Sequence, residues 1–170
     1  MKKTHLLFLI CFAHGRIGQN IIVDQERATV SFLILDNNVD GTLSEFKFTG
    51  MLNFNALETA TLSGTVATAT IDTDNWLRDR HLRNKYFKSD AFPLLTFKSN
   101  SIVLEDTMLI VDGVLSIKGI SKPTRFRFTQ TSTILEGKAA INASDFDIHI
   151  HDTASRNKLT VTITLPYTSQ

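Results

Sequence analysis

Two clusters of side chains in this sequence are of types that could do chemistry. The first is Asp147, His149 and His151, spaced two apart, with Asp152 next in the chain. On a β-strand that spacing puts all three on one face. Two imidazoles and a carboxylate on one face are a donor set for a divalent metal. The second is Arg78, Asp79, Arg80, His81 and Arg83, crowded into six residues. An Asp beside a His is a possible general acid–base pair. The bland readings stand beside these. Phe146, Ile148 and Ile150 take the opposite parity to the first cluster, so if they face a core, the His/Asp set faces solvent. Mixed charge on a short segment is usually salt-bridging, worth a few tenths of a kcal/mol per pair. No Ser, Thr or Cys nucleophile is tied to Asp79 or His81 by a recognisable motif. Serine-hydrolase elbows, phosphate-binding loops, dinucleotide fingerprints, zinc-protease helices and calcium loops are all missing. The expectation is a protein with no catalytic residues, no metal site and no cofactor.

Composition narrows the classes further. The 170 residues fit one domain. Eighteen basic against seventeen acidic residues leave a net charge of +1, with no Lys/Arg-rich run to draw in nucleic acid. A single Cys excludes an internal disulfide and any multi-thiolate zinc site. Phe is the outlier: twelve, against two Tyr and one Trp. Phe carries no polar handle, so an excess of it points to dry apolar surface.

Residues 1–15, MKKTHLLFLICFAHG, have the form of a secretory signal peptide. Lys2 and Lys3 are the basic start, Leu6–Ala13 the apolar run, and Ala13 and Gly15 the small residues before a cut. The run is too short to span a bilayer, which takes about 20 apolar residues. Ile10 stands where a lipoprotein signal needs a small residue, which argues against lipidation at Cys11. The expected product is an exported domain, residues 16–170, without a transmembrane segment; a homodimer is compatible with it.

The elements that would position these groups are mostly strands. Phe46, Phe48, Leu52 and Phe54 share one parity; so do Leu109, Val111, Leu115 and Ile117, and likewise Leu159, Val161, Ile163 and Leu165. Period-2 alternation rich in Thr is a strand signal. Eight long strands are expected, at 28–35, 43–54, 60–72, 94–104, 107–118, 121–133, 134–145 and 157–167, with Ile21–Val23 as a further edge piece. Short polar turns join most of them, as suits antiparallel neighbours. Residues 74–90 break the alternation and predict one or two short helices between the third and fourth strands, with Asp74 as N-cap and Asp79 four residues before Arg83. Eight strands with one apolar face each can close into a barrel or pack as a two-sheet sandwich. Parity sorts Phe32, Phe46, Phe48, Phe54, Phe97, Phe126, Phe128 and Phe146 onto the inner face. From the residues alone, a filled core and a ligand cavity remain equally open, because eight-stranded barrels come in both forms.

Four segments, in order, resemble the YceI-like family of exported lipid-binding barrels. They are Val39-Asp40-Gly41-Thr42-Leu43 through Phe48-Thr49-Gly50; Ile71-Asp72-Thr73 with Arg78-Asp79-Arg80-His81-Leu82-Arg83, Tyr86-Phe87, Phe92-Pro93 and Thr96-Phe97-Lys98-Ser99; Val111–Pro123; and Ala143-Ser144-Asp145-Phe146-Asp147-Ile148. The resemblance spans about 24–167. It departs at 128–141, which is short, and at 36–39, where the usual His-Leu-Gly type turn is missing. The resemblance implies an all-β fold: an eight-stranded, extended, antiparallel, lipocalin-like barrel, with the short helical segment between strands three and four. It further implies non-enzymatic binding of a polyisoprenoid or fatty-acid-like lipid, in the periplasm or outside the cell. On that reading the Phe set lines the lumen, and Trp76, Leu82, Phe87 and Phe92 seat the helical segment at one end. Arg78, Arg80 and Arg83 are then candidates for a polar head group. An enzyme working through Asp79 and His81, or a filled barrel offering a partner surface, are the alternatives.

Overall fold

The computed structural model describes residues 20–169; the signal-peptide expectation lies outside them. Ten strands form, all antiparallel: β1 Ile21–Val23, β2 Thr29–Ile34, β3 Val39–Leu43, β4 Lys47–Met51, β5 Thr61–Ala67, β6 Leu94–Glu105, β7 Met108–Ile117, β8 Ile120–Gln130, β9 Ile134–Asn142 and β10 Lys158–Ser169. Nine make one ladder in the order β3-β2-β10-β9-β8-β7-β6-β5-β4, and β1 pairs with β10 beside β2. The two ends of that ladder, β3 and β4, are consecutive in the chain and joined only by Ser44–Phe46. The sheet thus curls into a barrel whose last seam is a continuous piece of backbone.

The eight expected strands and the edge piece become ten because one expected strand is split. The stretch predicted at 43–54 starts earlier, at Val39, and splits where Glu45 takes a φ of 55°, a left-handed conformation that no strand residue adopts. The edge piece β1 and the strand β2 lie along the same strand, β10, on either side of a gap at residues 24–28. Pro166 of β10 stands opposite that gap. It has no N–H to donate, although its carbonyl accepts from the Asp24 amide at 2.8 Å. Beyond the gap the broken strands meet again, through the Asn20–Asn53 bridge and the Ile21 amide on the Leu52 carbonyl.

The strand predicted at 60–72 stops at Ala67, where a 3₁₀ turn over Thr68–Thr70 leads to the helical crossing. There α1, Trp76–His81, runs into a single π-helical turn at Leu82–Phe87. The N-cap is Asn75, not Asp74: its side chain accepts from the Arg78 amide at 3.0 Å. Asp74 sits one residue earlier with φ 56°. The expected strand over 134–145 ends at Asn142, and Phe146 belongs to the 3₁₀ turn Ala143–Phe146 that follows. The β7–β8 hairpin turns on Lys118 and Gly119, both with positive φ, the two-residue geometry that matches the twist of the flanking strands.

The apolar parity read from sequence is the inward face. Val111, Phe126, Leu135, Leu109 and Leu165 are all buried. In β6 a bulge between Ser99 and Ser101 resets the parity, so Phe97 points in before it and Ile102 after it, while Leu104 is exposed.

Several inward phenylalanines lie flat over a glycine. Phe32 pairs with Gly41 across β2–β3, and Phe128 with Gly137 across β8–β9. A Cβ at Gly41 would sit 2.5 Å from the Phe32 ring, and one at Gly113 2.5 Å from the Phe97 ring; a Cβ at Gly137 would overlap Phe128 outright. The ring therefore occupies the volume a neighbouring side chain would have filled. Replacing Gly137 with Ala is expected to cost about 1–3 kcal/mol, the range for overpacking a core. A urea melt of the variant, with a lowered midpoint and unchanged slope, is the check.

Candidate functional site

The barrel encloses an apolar lumen. Its cavity has a volume of about 140 Å³, comparable to an engineered void that admits benzene. The 28 residues around it come from β2 to β10, from the helical crossing and from the segment after β9. Their side chains are all apolar except Ser63 and Thr65, and no Asp, Glu, Lys, Arg or His is among them. The lumen is therefore neither solid nor wide: it is a narrow gap that extends along a long apolar lining.

Of the twelve apolar residues picked out by sequence, eight line this space: Phe32, Phe46, Phe48, Leu82, Phe87, Phe97, Phe126 and Phe128. Phe97 and Phe126 meet edge to face at 5.1 Å, and Phe126 and Phe128 are 6.1 Å apart, within the range where aromatic pairs add to burial. The other four are elsewhere. Phe54 packs against the main core just beyond β4. Phe92 lies over Gly119 at the β7–β8 turn, seating the crossing segment rather than the lumen. Phe146 is buried in the core, but from a 3₁₀ turn beyond the end of its strand. Trp76 is 72% exposed; the first turn of α1 faces solvent, and only the π-helical turn behind it reaches the lumen with Leu82 and Phe87. Sequence reasoning passed over the two residues that line the lumen after Phe146, Ile148 and Ile150. Their parity had marked them as inward, although the segment is not a strand.

The arginines named as head-group candidates are held by the fold. Arg78 donates from Nε to the Thr73 hydroxyl at 2.7 Å and from a terminal nitrogen to the Thr73 carbonyl at 2.6 Å. Arg83 donates to the Ile71 carbonyl at 3.0 Å. Arg80 is exposed on the outer side. Asp79 is buried and accepts from the Thr73 amide at 2.9 Å and its hydroxyl at 2.6 Å. His81, by contrast, is exposed. The pair therefore faces in opposite directions. Asp79 pins the turn before α1, and the expected Asp79–Arg83 ion pair gives way to these two separate contacts with the backbone before the helix.

The Asp147, His149 and His151 set does not share a strand face, because residues 147–152 form no strand. Asp147 has φ 56° and takes the buried Lys118 ammonium at 3.1 Å. His151 faces Asp36 at 3.3 Å. Among the described residues no three His, Cys, Asp or Glu converge on a metal-sized site. The loop is organised instead by Asn157, whose side-chain amide donates to the Ser144 hydroxyl at 2.9 Å and the His151 carbonyl at 2.7 Å, and whose side-chain oxygen accepts from the His151 amide at 2.8 Å.

A bidentate clamp ties this loop to the turn after β2, just beyond the paired ends of β2 and β10. Arg156 donates to the two Asp36 carboxylate oxygens at 3.0 and 2.7 Å. Those hydrogen bonds hold the Asp36 carboxyl below its ordinary value of 3.8, and Lys118 does the same to Asp147. A depressed carboxyl adds stability above its unfolded pKa and loses it as pH falls through the folded value. Thermal stability is therefore expected to be flat with respect to these groups above about pH 5 and to decline below about pH 4. Asp36→Asn should blunt that decline in a pH series of thermal melts; because the pair is exposed, the effect should be small and salt-sensitive.

Comparison with known proteins places the chain. A family model described as the YceI-like domain matches residues 22–167. Protein YceI of Salmonella newport (strain SL254) is 33% identical over 133 residues, covering 72% of this chain and 70% of that protein. UPF0312 protein plu2095 of Photorhabdus laumondii is 29% identical over the same length, covering 72% of this chain and 69% of that protein. Among solved structures, BcnA of Burkholderia cenocepacia superposes with a TM-score of 0.77 at 20% identity, over 85% of this chain and 98% of that one. A polyisoprenoid binding domain from Saccharophagus degradans superposes with a TM-score of 0.62 at 13% identity, over 88% and 98%. The match to the domain across almost all the described residues, together with the shared barrel, shows that this chain belongs to the YceI-like family.

Proposed function

We propose that this protein binds one long-chain, polyisoprenoid- or fatty-acid-like amphiphile in its lumen and performs no chemistry on it, in the periplasm or outside the cell. The observation that carries this is the character of the lining. It is a long, connected apolar surface with no titratable side chain on it. Burying a methylene there is worth about 0.8 kcal/mol, so a chain of many carbons binds well without a polar contact. Catalysis would need an activated nucleophile, a general acid or base, or a metal ligand at the bound molecule. The lining's polar side chains are the hydroxyls of Ser63, which donates to the Phe97 carbonyl, and Thr65, with no titratable group beside them in the lining. The Saccharophagus relative, described as a polyisoprenoid binding domain, supports the same ligand class. The absence from the described residues of any helix long and apolar enough to cross a membrane is compatible with an exported carrier.

The ligand-free cavity is smaller than a long chain requires, so binding has to move the rings. Interiors resist loss of packing, but a tail that takes the place of the displaced rings' contacts restores them. Phe32, Phe97 and Phe128 lie against the wall rather than across the lumen, which leaves the axis as the path of least repacking.

The test is native mass spectrometry of delipidated protein incubated with prenols of graded length. A single bound molecule is expected for the wild type. Phe48→Asp, which puts a charge into the lumen at a half-buried position, should abolish the adduct while circular dichroism shows the fold retained. His81→Ala should leave binding unchanged. Apoprotein alone at every chain length, or loss of a turned-over product in His81→Ala, overturns the reading.

A further inference from the structure

Buried side chains stand at both ends of the barrel. At the helical end they are Ile71, Leu82 and Ile148; at the other end they are Leu52, Leu135 and Tyr167. The wall loses its ladder where the two broken strands run past each other; β8 and β9 also part above Arg127 and Lys138, but there the turn Ala143–Phe146 packs against β8. On one side are residues 24–28, between β1 and β2; on the other are Ser44–Phe46, between β3 and β4. The second stretch is anchored toward β5, since the Ser44 amide donates to the Thr70 hydroxyl and the Ser44 carbonyl accepts from the Ala67 amide. Across the gap, the bond is a side-chain one: the Phe48 amide donates to the Gln25 side-chain oxygen at 2.8 Å. A side-chain rotation is enough to break it, whereas a ladder bond needs the strands to part.

A recess of about 520 Å³ opens on this seam. Val30, Leu43 and Phe46 line both the recess and the lumen. Phe46 is only half-buried, and its ring lies over Gly64, where even a Cβ would come within 3.2 Å of it. The ring thus packs in the space a side chain at position 64 would take, and it touches both core clusters while staying part-exposed to the recess. The outer rim is polar: Gln25, Glu26, Thr29, Ser44 and Glu45. No cation is in the lining; nearby Arg27 is tied to Asp24 at 2.6 Å.

We propose that this seam is the entrance to the lumen, with Phe46 as its gate, and that it admits amphiphiles whose polar end is not anionic. The inference rests on the lipid-binding reading and adds to it a route and a head-group preference. The tail passes Phe46 into the lumen, and the polar end stays at the rim among hydroxyls, the Gln25 amide and two carboxylates. Those carboxylates repel a phosphate and no cation lines the recess; of the flanking cations, Arg27 is engaged by Asp24, and Lys47 is exposed in β4 between the inward Phe46 and Phe48.

The experiment uses the full chain with Cys11→Ser, Gln25→Cys and Lys47→Cys, joined across the seam by a short thiol crosslinker that contains a reducible disulfide. Uptake of geranylgeraniol and of geranylgeranyl phosphate is followed by native mass spectrometry. Stapling is expected to slow alcohol uptake about tenfold or more, as closing a gate does, and reduction should restore it, which excludes misfolding. Protein stapled after loading should retain the alcohol. In the protein that keeps Gln25 and Lys47, the phosphate is expected to bind about tenfold more weakly than the alcohol, a difference of ~1.4 kcal/mol. Equal uptake by stapled and open protein overturns the entrance. Equal binding of phosphate and alcohol overturns the head-group preference. If neither ligand binds the open protein, it is the lipid-binding reading itself that fails.

Discussion

The lumen of this barrel depends on phenylalanine rings lying over glycines. An eight-stranded barrel has just enough interior for its own side chains to fill. Large inward residues on every strand would make it solid. Here the position beside the ring is emptied instead: Gly41 beside Phe32, Gly113 beside Phe97, Gly137 beside Phe128. A ring laid in that space shields backbone and covers the wall, as aromatic rescue of a sheet glycine does. It then contributes area to the lining without projecting across the axis. The excess of Phe and the inward glycines are one device, and each half is costly alone. Glycine without the ring leaves a thin, poorly packed wall; the ring without the glycine fills the lumen.

Closing the barrel meets a second constraint. β10 is an unbroken 12-residue strand, but its partner side is split between β1 and β2. Pro166 cannot donate to a ladder at that point, and Glu45 bends the neighbouring strand through the left-handed region. The two breaks face each other, so much of their unpaired backbone is gathered in one place. The ladder has two further irregularities, the β6 bulge at Ser99–Ser101 and the short β8–β9 pairing, which spans only Arg127–Gln130 against Leu135–Lys138.

These two constraints differ in how far they could be read from the chain. Alternation is a local signal, and it correctly turned Phe46, Phe48, Phe126 and Phe128 inward. It also marked Ile148 and Ile150, because an irregular segment that covers a barrel end must still alternate between core and water. It misassigned Phe146 to a strand, because nothing local announces the 3₁₀ turn at Ala143. The clamp from Arg156 to Asp36 joins residues 120 apart in the chain, so no spacing rule could reveal it. Trp76 failed for another reason. The family resemblance grouped it with Leu82, but residues six apart stand about 120° from each other on a helix, so Leu82 is buried while Trp76 faces solvent. The eight-strand count was right for the chain's path around the barrel. The break after Ile21–Val23 is legible, since that piece stands apart from the strand at 28–35; the break at 44–46 is not, because the alternation does not announce the left-handed turn at Glu45.

The placement of charge also bears on how such a site discriminates. In the helical crossing, Arg78 and Arg83 are engaged by carbonyls and a hydroxyl of residues 71–73, and Asp79 completes that knot from within. These residues look like a head-group cradle in sequence because they are charged and close together; in the fold they fasten the crossing segment that caps the lumen. What remains inside is surface without charge, its polar side chains only Ser63 and Thr65. Such a surface ranks ligands by buried area and by how well their stiffness suits a narrow, ring-lined channel, since each ordered rotor costs entropy. Polyprenyl chains suit it on both counts. Their double bonds remove rotors that a saturated chain of the same length must freeze, and their methyl branches supply area to the gaps between rings. Discrimination within the lumen is thus a matter of shape, and any discrimination by charge has to occur where the wall meets water.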